Sequence, residues 1–299
     1  MPLADKPPYV TRWNEQAFAP PYLQQGCSLY GFFLRCDRSA LQVFCNRFLI
    51  DPSQGCVQAT ALDHVLLYFC RFARSSSLHT TDRQRGWYGE NECGLWIPLQ
   101  QHRQNHPVRF AFLPLSLFVD SGPAAIAGRE VLGFPKELGH ITLPTDHEPP
   151  SLFALDALMQ IRHGAESPAR WGRLIEVRQS AASAWPKGPL ALPRPLLRLL
   201  LPALRQRRSS PPLLLLKQIR DAADPARACH QSIVSCVNEV QTVRSLHCLP
   251  GSYDVVLNAC ASHPLAELGI APQALRAVRG FSIDMDFTLM LDDVLWEAT

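Results

Sequence analysis

Residues 128–139 have the sequence Gly-Arg-Glu-Val-Leu-Gly-Phe-Pro-Lys-Glu-Leu-Gly, which sets one lysine among apolar and backbone-shaping residues. Glycine permits positive φ and close backbone approach, whereas proline fixes its own φ. The three glycines and the proline therefore predict a tightly defined backbone around Lys136. In an extended segment, Phe134 and Leu138 lie on the same face as Lys136. Such an apolar face disfavours the charged form of the amine.

A second motif precedes this segment, since residues 122–127 are Gly-Pro-Ala-Ala-Ile-Ala. Together the eighteen residues resemble the acetoacetate decarboxylase family, above all in the aromatic-Pro-Lys element at 134–136. The resemblance implies that Lys136 forms a Schiff base with a keto acid and that Phe134 lies at the substrate. Desolvation or a cationic neighbour makes such a lysine nucleophilic.

The alternative for Lys136 is an ordinary lysine whose stem packs on apolar neighbours while its amine stays in water. The chain contains only four lysines among its 29 basic residues, and the others are arginines. Because a guanidinium stays protonated, arginine cannot replace a reactive amine. This usage favours a functional lysine, although codon bias explains the scarcity equally well.

The chain departs from the family pattern at three places. Glu137 stands where the decarboxylases have a second lysine, and an acid this close raises the pKa of an amine unless it points to the opposite face of the strand. Cys27 aligns with an arginine near the family's pocket. No glutamate occurs between Asp63 and Glu90, so the apolar run 64–72 takes the place of a pocket carboxylate. These departures leave the exact reaction open.

The resemblance implies that Glu92 is the acid that handles protons, because Glu92 lies six residues before Pro98 as in the family. Glu90 is the second candidate and is assigned to substrate binding. The alternative for both is an exposed acid at the end of a strand. Arg129 lies on a helix predicted from Pro123 to residue 132, where it binds a substrate carboxylate or forms a structural salt bridge.

The remaining pattern is that of an α+β protein made mainly of antiparallel β-structure. A helix capped by Asp37 follows the first strand, and the alternation of Met285, Phe287 and Leu289 predicts a core-facing strand and no cofactor site. The resemblance implies a cone-shaped acetoacetate decarboxylase-like β-barrel with a few helices. We expect an N-terminal arm at 1–27 and a single domain at 28–299. Strands are predicted at 28–35, 64–72, 93–99, 108–119, 141–143, 151–161, 173–178, 213–219, 229–243 and 253–258.

The Pro- and Leu-rich segment 186–212 breaks this pattern. A short helix that covers the barrel mouth or forms an oligomer contact is the first interpretation. A basic helix on a membrane surface is the alternative, but leucine occupies too much of its circumference and Pro202 interrupts it.

Composition limits the partners. A net charge of +3 with 18% charged residues gives no strong field, so nucleic acid is not expected. The chain begins without a signal-like segment and has no long apolar run, so we expect no membrane association and a cytoplasmic location. The ten cysteines and ten histidines are scattered, which predicts reduced thiols, no metal and no cofactor. Family relatives imply a homo-oligomer.

Three functions follow from these residues. The first is a lyase of the acetoacetate decarboxylase type, in which Lys136 forms a Schiff base with a β-keto acid or related keto acid. The second keeps the Schiff base but performs an aldol, dehydration or cyclisation step. The third is a non-catalytic binding scaffold of the same fold.

Overall fold

The computed structural model describes residues 7–103, 107–145, 150–180 and 210–298. Two short α-helices, α1 Arg38–Cys45 and α2 Gly122–Ala127, each continue into a π-helical turn, Asn46–Ile50 and Gly128–Leu132. The strands in these ranges are β1 Tyr22–Arg35, β2 Gln58–Ala61, β3 His64–Ser77, β4 Tyr88–His102, β5 Arg109–Val119, β6 Lys136–Thr142, β7 Leu152–Met159, β8 Arg170–Gln179, β9 Leu213–Arg220, β10 Ala228–Cys248, β11 Tyr253–Leu257 and β12 Gly280–Glu297.

The strands form one mixed sheet that closes into a ring. The hydrogen-bonded order β5-β9-β10-β12-β1-β3-β4 returns to its start because β4 also pairs with β5. Nearly all neighbours are antiparallel, but β5 runs parallel to both β6 and β9. The predicted α+β class, mainly antiparallel with a few helices, is confirmed in the form of this ring-like sheet.

Both faces of β3 are buried over residues 65–70, which explains why this strand is a continuous apolar run. On β3, Val65, Leu67 and Phe69 pack into one core cluster, whereas Tyr68 and Cys70 pack into another. Alternate residues of β4 divide in the same way, since Cys93, Leu95, Ile97 and Leu99 join the first cluster. The second cluster surrounds the ring interior, so alternate side chains of β1, β3 and β4 point toward a shared space.

The remaining strands extend outward from β5. β6 pairs with β5 in the register Leu117–Lys136, and β7, β8 and β11 follow in antiparallel order. The parallel β5–β6 pair needs a crossover, which α2 and its π-helical turn provide. This connection places Lys136 at the first position of β6.

Helix boundaries agree with the sequence predictions. The Asp37 side chain caps α1 by accepting a hydrogen bond from the Ser39 amide at 2.7 Å. Gly133 ends the second helical segment with φ of 81°, a conformation that favours glycine. No helix in the described ranges is long and apolar enough to cross a bilayer.

One predicted segment has different bounds in the structure, and a second lies mostly outside the described residues. β1 begins at Tyr22, so the sheet includes the last residues of the range predicted as an arm. Residues 186–209, which hold most of the predicted covering helix, lie outside the described residues, as do residues 1–6.

Candidate active site

Lys136 reaches the ring interior from a constrained turn. The Gly133 amide donates to the Gly128 carbonyl and closes the π-helical turn, and the Phe134 amide donates to the same carbonyl at 3.0 Å. A Cβ on Gly133 would lie 2.6 Å from the Cα of Lys217 on β9, so glycine is required by close backbone approach as well as by φ. Packing against β9 thus fixes where β6 starts and where the lysine side chain enters.

The Lys136 side chain passes over Gly128. A Cβ at position 128 would lie 2.6 Å from Cδ of Lys136 and 2.9 Å from its Cε. The absence of a side chain at this position therefore leaves the channel that the lysine stem occupies. Lys136 is 9% exposed, so its amine is held inside the protein.

Two carboxylates from β4 meet this amine. Glu90 and Glu92 are two residues apart and therefore share a face of the strand. The Lys136 Nζ lies 3.3 Å from Glu92 Oε2 and 3.7 Å from Glu90 Oε2. Both acids are buried. Tyr68 on β3 donates its hydroxyl hydrogen to Glu92 Oε1 at 2.5 Å, which fixes that carboxylate.

The electrostatics differ from the sequence expectation that burial keeps the amine neutral. Burial lowers the pKa of Lys136, but attraction to Glu90 and then to Glu92 outweighs it and raises the pKa to about 12. Burial raises the pKa of Glu90 to about 7, against the opposing effect of the Lys136 charge. Burial and the neighbouring Glu92 charge also raise the pKa of Tyr68, which keeps it a hydrogen-bond donor. The resting site therefore holds an ammonium ion, which the expected apolar face would have disfavoured.

The amine and carboxylates line one end of a largely apolar cavity of about 160 Å³. Phe134 lies against the amine, with its ring centroid 5.8 Å from Nζ. Met285, Phe287 and Leu289, predicted to face the core, also line this space. Aromatic and aliphatic side chains that complete the wall include Leu29, Phe72, Trp96, Phe112, Leu132 and Leu213.

Two thiols stand at the family's departure points. Cys27 on β1 and Cys70 on β3 both line the cavity, and their Sγ atoms are 3.3 Å apart. Cys70 lies in the apolar run that the sequence predicted to replace a carboxylate, and its register partner on β4 is Glu92. Burial raises the pKa of the Cys70 thiol, so Cys70 adds no charge to this part of the wall.

Three residues near Lys136 point elsewhere. Arg129 lies outside the cavity wall, where its Nη1 donates to the Lys136 carbonyl and to Glu137 Oε1, each at 2.8 Å. Glu137 is exposed and directed away from the amine, as the strand alternation allows. Leu138 is 53% exposed, so the expectation that it covers the amine is wrong. The reason is that β6 buries Lys136 and Gly139, a spacing of three, instead of strictly alternating residues.

Some buried polar atoms at the cavity have no hydrogen-bond partner among the described residues. These atoms are Oε1 of Gln24, Oε2 of Glu90 and Nε1 of Trp96. Buried polar groups are nearly always paired, so such atoms are available to a ligand. The described residues contain no cluster of three or more His, Cys, Asp or Glu side chains arranged for a metal.

The structure thus brings Lys136, Glu90, Glu92 and Phe134 into one cavity and leaves Arg129 outside it. Sequence reasoning missed Tyr68 and the channel role of Gly128. The contact of Tyr68 with Glu92 could not be recognised from the sequence, because Tyr68 lies in an apolar run whose pattern indicates core packing. The sequence indicates that Gly128 shapes the backbone, but its proximity to Lys136 depends on the turn between them.

Comparisons with known proteins agree with the observed fold. The family model described as acetoacetate decarboxylase (ADC) matches residues 5–154. No curated protein matches by sequence. Among solved structures, acetoacetate decarboxylase from Legionella pneumophila subsp. pneumophila str. Philadelphia 1 is 16% identical, with a TM-score of 0.61 over 95% of this chain and 92% of the other.

Two further structures are similar. The enduracididine biosynthesis enzyme MppR, complexed with the condensation product of pyruvate and imidazole 4-carboxaldehyde, is 16% identical, with a TM-score of 0.55 over 95% of this chain and 92% of the other. An acetoacetate decarboxylase-like enzyme from Sphingomonas wittichii RW1 is 16% identical, with a TM-score of 0.55 over 96% and 98% of the two chains. At this identity the structural similarities establish the shared fold.

Proposed function

Since this chain belongs to the acetoacetate decarboxylase family, we propose that it is a lyase-type enzyme whose Lys136 forms a Schiff base with the ketone of a β-keto acid. The observation that carries the proposal is the buried amine 3.3 Å from Glu92 and 3.7 Å from Glu90 in an otherwise apolar cavity. The charge of a lysine in water is stabilised by the solvent, so a lysine exposed to solvent would not require two buried carboxylates beside its amine.

Attack on the ketone requires an unprotonated amine, so a carboxylate takes the proton first. Glu90 is suited to this step because burial raises its pKa to about 7. The amine nitrogen then bonds to the carbonyl carbon, and loss of water leaves a protonated imine. Glu92, held by Tyr68, positions the amine and supports these proton transfers.

Decarboxylation then follows without an added cofactor. The bond between the α-carbon and the carboxylate breaks, and its electron pair moves into the protonated imine to give an enamine and carbon dioxide. A protonated glutamate returns a proton to the enamine carbon. Water hydrolyses the resulting imine, releasing the ketone and restoring Lys136. The net reaction consumes one β-keto carboxylate anion and one proton, which the glutamate takes up from solvent, and yields one ketone and one carbon dioxide.

A second candidate keeps the same Schiff base and changes the next step. The Cys27–Cys70 wall, which departs from the decarboxylase pattern, is the observation on which this second candidate rests. An enamine formed from a keto acid such as pyruvate would attack an aldehyde and lose water, giving a conjugated product. The structure of MppR contains a condensation product of pyruvate and an aldehyde, and this similarity of fold supports the second candidate.

Borohydride trapping tests the shared step. The protein is incubated with acetoacetate, with 3-oxo-3-phenylpropanoate, or with pyruvate plus benzaldehyde, then reduced and digested, and the adduct is located by peptide mass. We expect an adduct on Lys136 that Lys136→Arg abolishes and Lys217→Arg, a matched change on β9, retains. No adduct with any keto acid would favour the binding scaffold.

The reaction products distinguish the lyase reaction from the aldol and dehydration route. Release of carbon dioxide from the β-keto acids supports the lyase, whereas a conjugated product from pyruvate and benzaldehyde supports the aldol and dehydration route. We also propose a homo-oligomer, which light scattering on a sizing column measures directly.

A further inference from the structure

The cavity extends well beyond the reacting amine. Glu90, Glu92 and Trp96 are separated by even numbers of residues on β4, so they point to the same side of the sheet and all line the cavity. The Trp96 ring lies 4.6 Å from that of Tyr68, whose hydroxyl donates to Glu92, so one tyrosine ring separates the indole from the carboxylate beside the amine.

The part of the cavity wall around Trp96 forms an aromatic end. The Trp96 ring lies 4.6 Å from that of Tyr68 and 5.7 Å from that of Phe112, measured between centroids. Phe112 pairs in register with Leu213, which also lines the cavity. These side chains come from four ring strands, so the ring closure itself creates the aromatic end.

The charges in the cavity all lie near the amine. Among the described lining residues, only Lys136, Glu90 and Glu92 are ionisable as a cation or carboxylate, and no arginine or histidine is present. A small keto acid depends on a cation to bind its carboxylate, but here the single amine is committed to the ketone. The rest of the described lining is mostly apolar, with a few neutral polar groups such as Gln24 and Asn238, so burial of apolar surface is the main source of affinity.

We infer that the substrate is a β-keto acid whose ketone carries an apolar group, seated between Trp96, Phe112 and Leu213. The aromatic and aliphatic lining around the Trp96 ring supports an apolar substituent at this place. The inference rests on the proposed chemistry of Lys136 for the placement of the ketone. The apolar recognition itself does not require that chemistry.

Ligands without a ketone test the recognition separately. Calorimetry with 3-phenylpropanoate and butanoate compares an aromatic with a short aliphatic acid, neither of which forms a Schiff base. We expect 3-phenylpropanoate to bind about 100-fold more tightly, as expected for burial of a ring in place of a methyl group. Dissociation constants within threefold of each other would overturn the inference.

Substitutions assign the preference to this end of the cavity. Trp96→Ala is expected to reduce the ratio of the two dissociation constants at least tenfold, whereas Trp13→Ala, at a fully exposed tryptophan, leaves the ratio unchanged. Phe112→Leu is the milder second variant and should reduce the ratio severalfold while the protein keeps its thermal transition. An unchanged ratio in a folded Phe112→Leu protein would overturn the assignment.

The two proposals fail in different ways. Tight binding of 3-phenylpropanoate without any borohydride adduct would reject the Schiff base and support apolar recognition. An adduct formed by acetoacetate at least as fast as by 3-oxo-3-phenylpropanoate would support the Schiff base and overturn the inferred substrate class.

Discussion

The Nζ of Lys136 lies 3.3 Å from Oε2 of Glu92, and both groups are almost completely buried. In this environment a charge is costly unless it is paired. The carboxylates therefore stabilise the ammonium, and the reactive amine must arise by proton transfer inside the site.

Gly128→Ala is expected to displace the amine without unfolding the protein. Position 128 has φ of −63° and ψ of −43°, which alanine adopts readily, but its Cβ would meet Cδ of Lys136 at 2.6 Å. The lysine stem has to move, so keto-acid-dependent trapping by borohydride should fall at least about tenfold. Gly164→Ala, where a Cβ meets no atom within 4 Å, is the matched control and should trap normally.

Glu90→Gln should change the pH dependence of stability. The folded-state pKa of Glu90 is raised from 4.5 to about 7, mainly by burial. Between these values the folded state holds a proton that the unfolded state has lost, so the Glu90 contribution to stability falls as pH rises from 4.5 to 7. The loss is at most about 3 kcal/mol. Urea unfolding at several pH values should show a flatter profile for Glu90→Gln.

The control for this experiment is Glu166→Gln, at an exposed acid in the loop after β7. Its profile should follow that of the wild type. A Glu90→Gln protein with the same pH slope as the wild type would contradict the assigned pKa direction.

Tyr68→Phe should weaken both the fold and the chemistry. The substitution removes the hydroxyl that donates to Glu92 Oε1 and leaves a buried carboxylate oxygen unpaired, which costs about 1–3 kcal/mol in the free energy of unfolding. Glu92 also loses its orientation, so the trapping rate should fall by roughly tenfold, part of what positioned proton transfer contributes.

Tyr253→Phe provides the comparison, because its hydroxyl donates to the Pro150 carbonyl at 2.7 Å away from the cavity. This variant should lose stability but trap at the wild-type rate. Equal trapping rates in the two variants would show that Tyr68 has a structural role alone.

Arg129→Ala is expected to leave ligand binding intact. Arg129 contacts the Lys136 carbonyl and Glu137 on the outer side of the turn, and its side chain is 56% exposed. The dissociation constant of 3-phenylpropanoate should stay within about twofold, and stability should fall by less than about 1 kcal/mol, as for other exposed ion pairs. A tenfold higher dissociation constant of 3-phenylpropanoate would show that Arg129 contributes to the substrate site.

Much of the fold could be predicted because local patterns encode it. The Asp37 cap, the Pro123 start and the Gly133 end of the helices depend on neighbouring residues, and each agrees with the structure. The continuous apolar run of β3 indicated burial on both faces. Strand order could not be derived from these patterns, since closure of the ring depends on pairing between β4 and β5 and between β5 and β9.

The sequence by itself determined which residue types carry the proposed chemistry: a lysine in the Phe-Pro-Lys element and two acids spaced to share one face of β4. Only the tertiary structure decided how they act on one another. It turned Arg129 outward and Leu138 toward solvent, and it set two carboxylates against the buried amine. The physical reason is that burial and attraction shift a pKa in opposite directions, and their balance depends on distances across strands that are far apart in the chain.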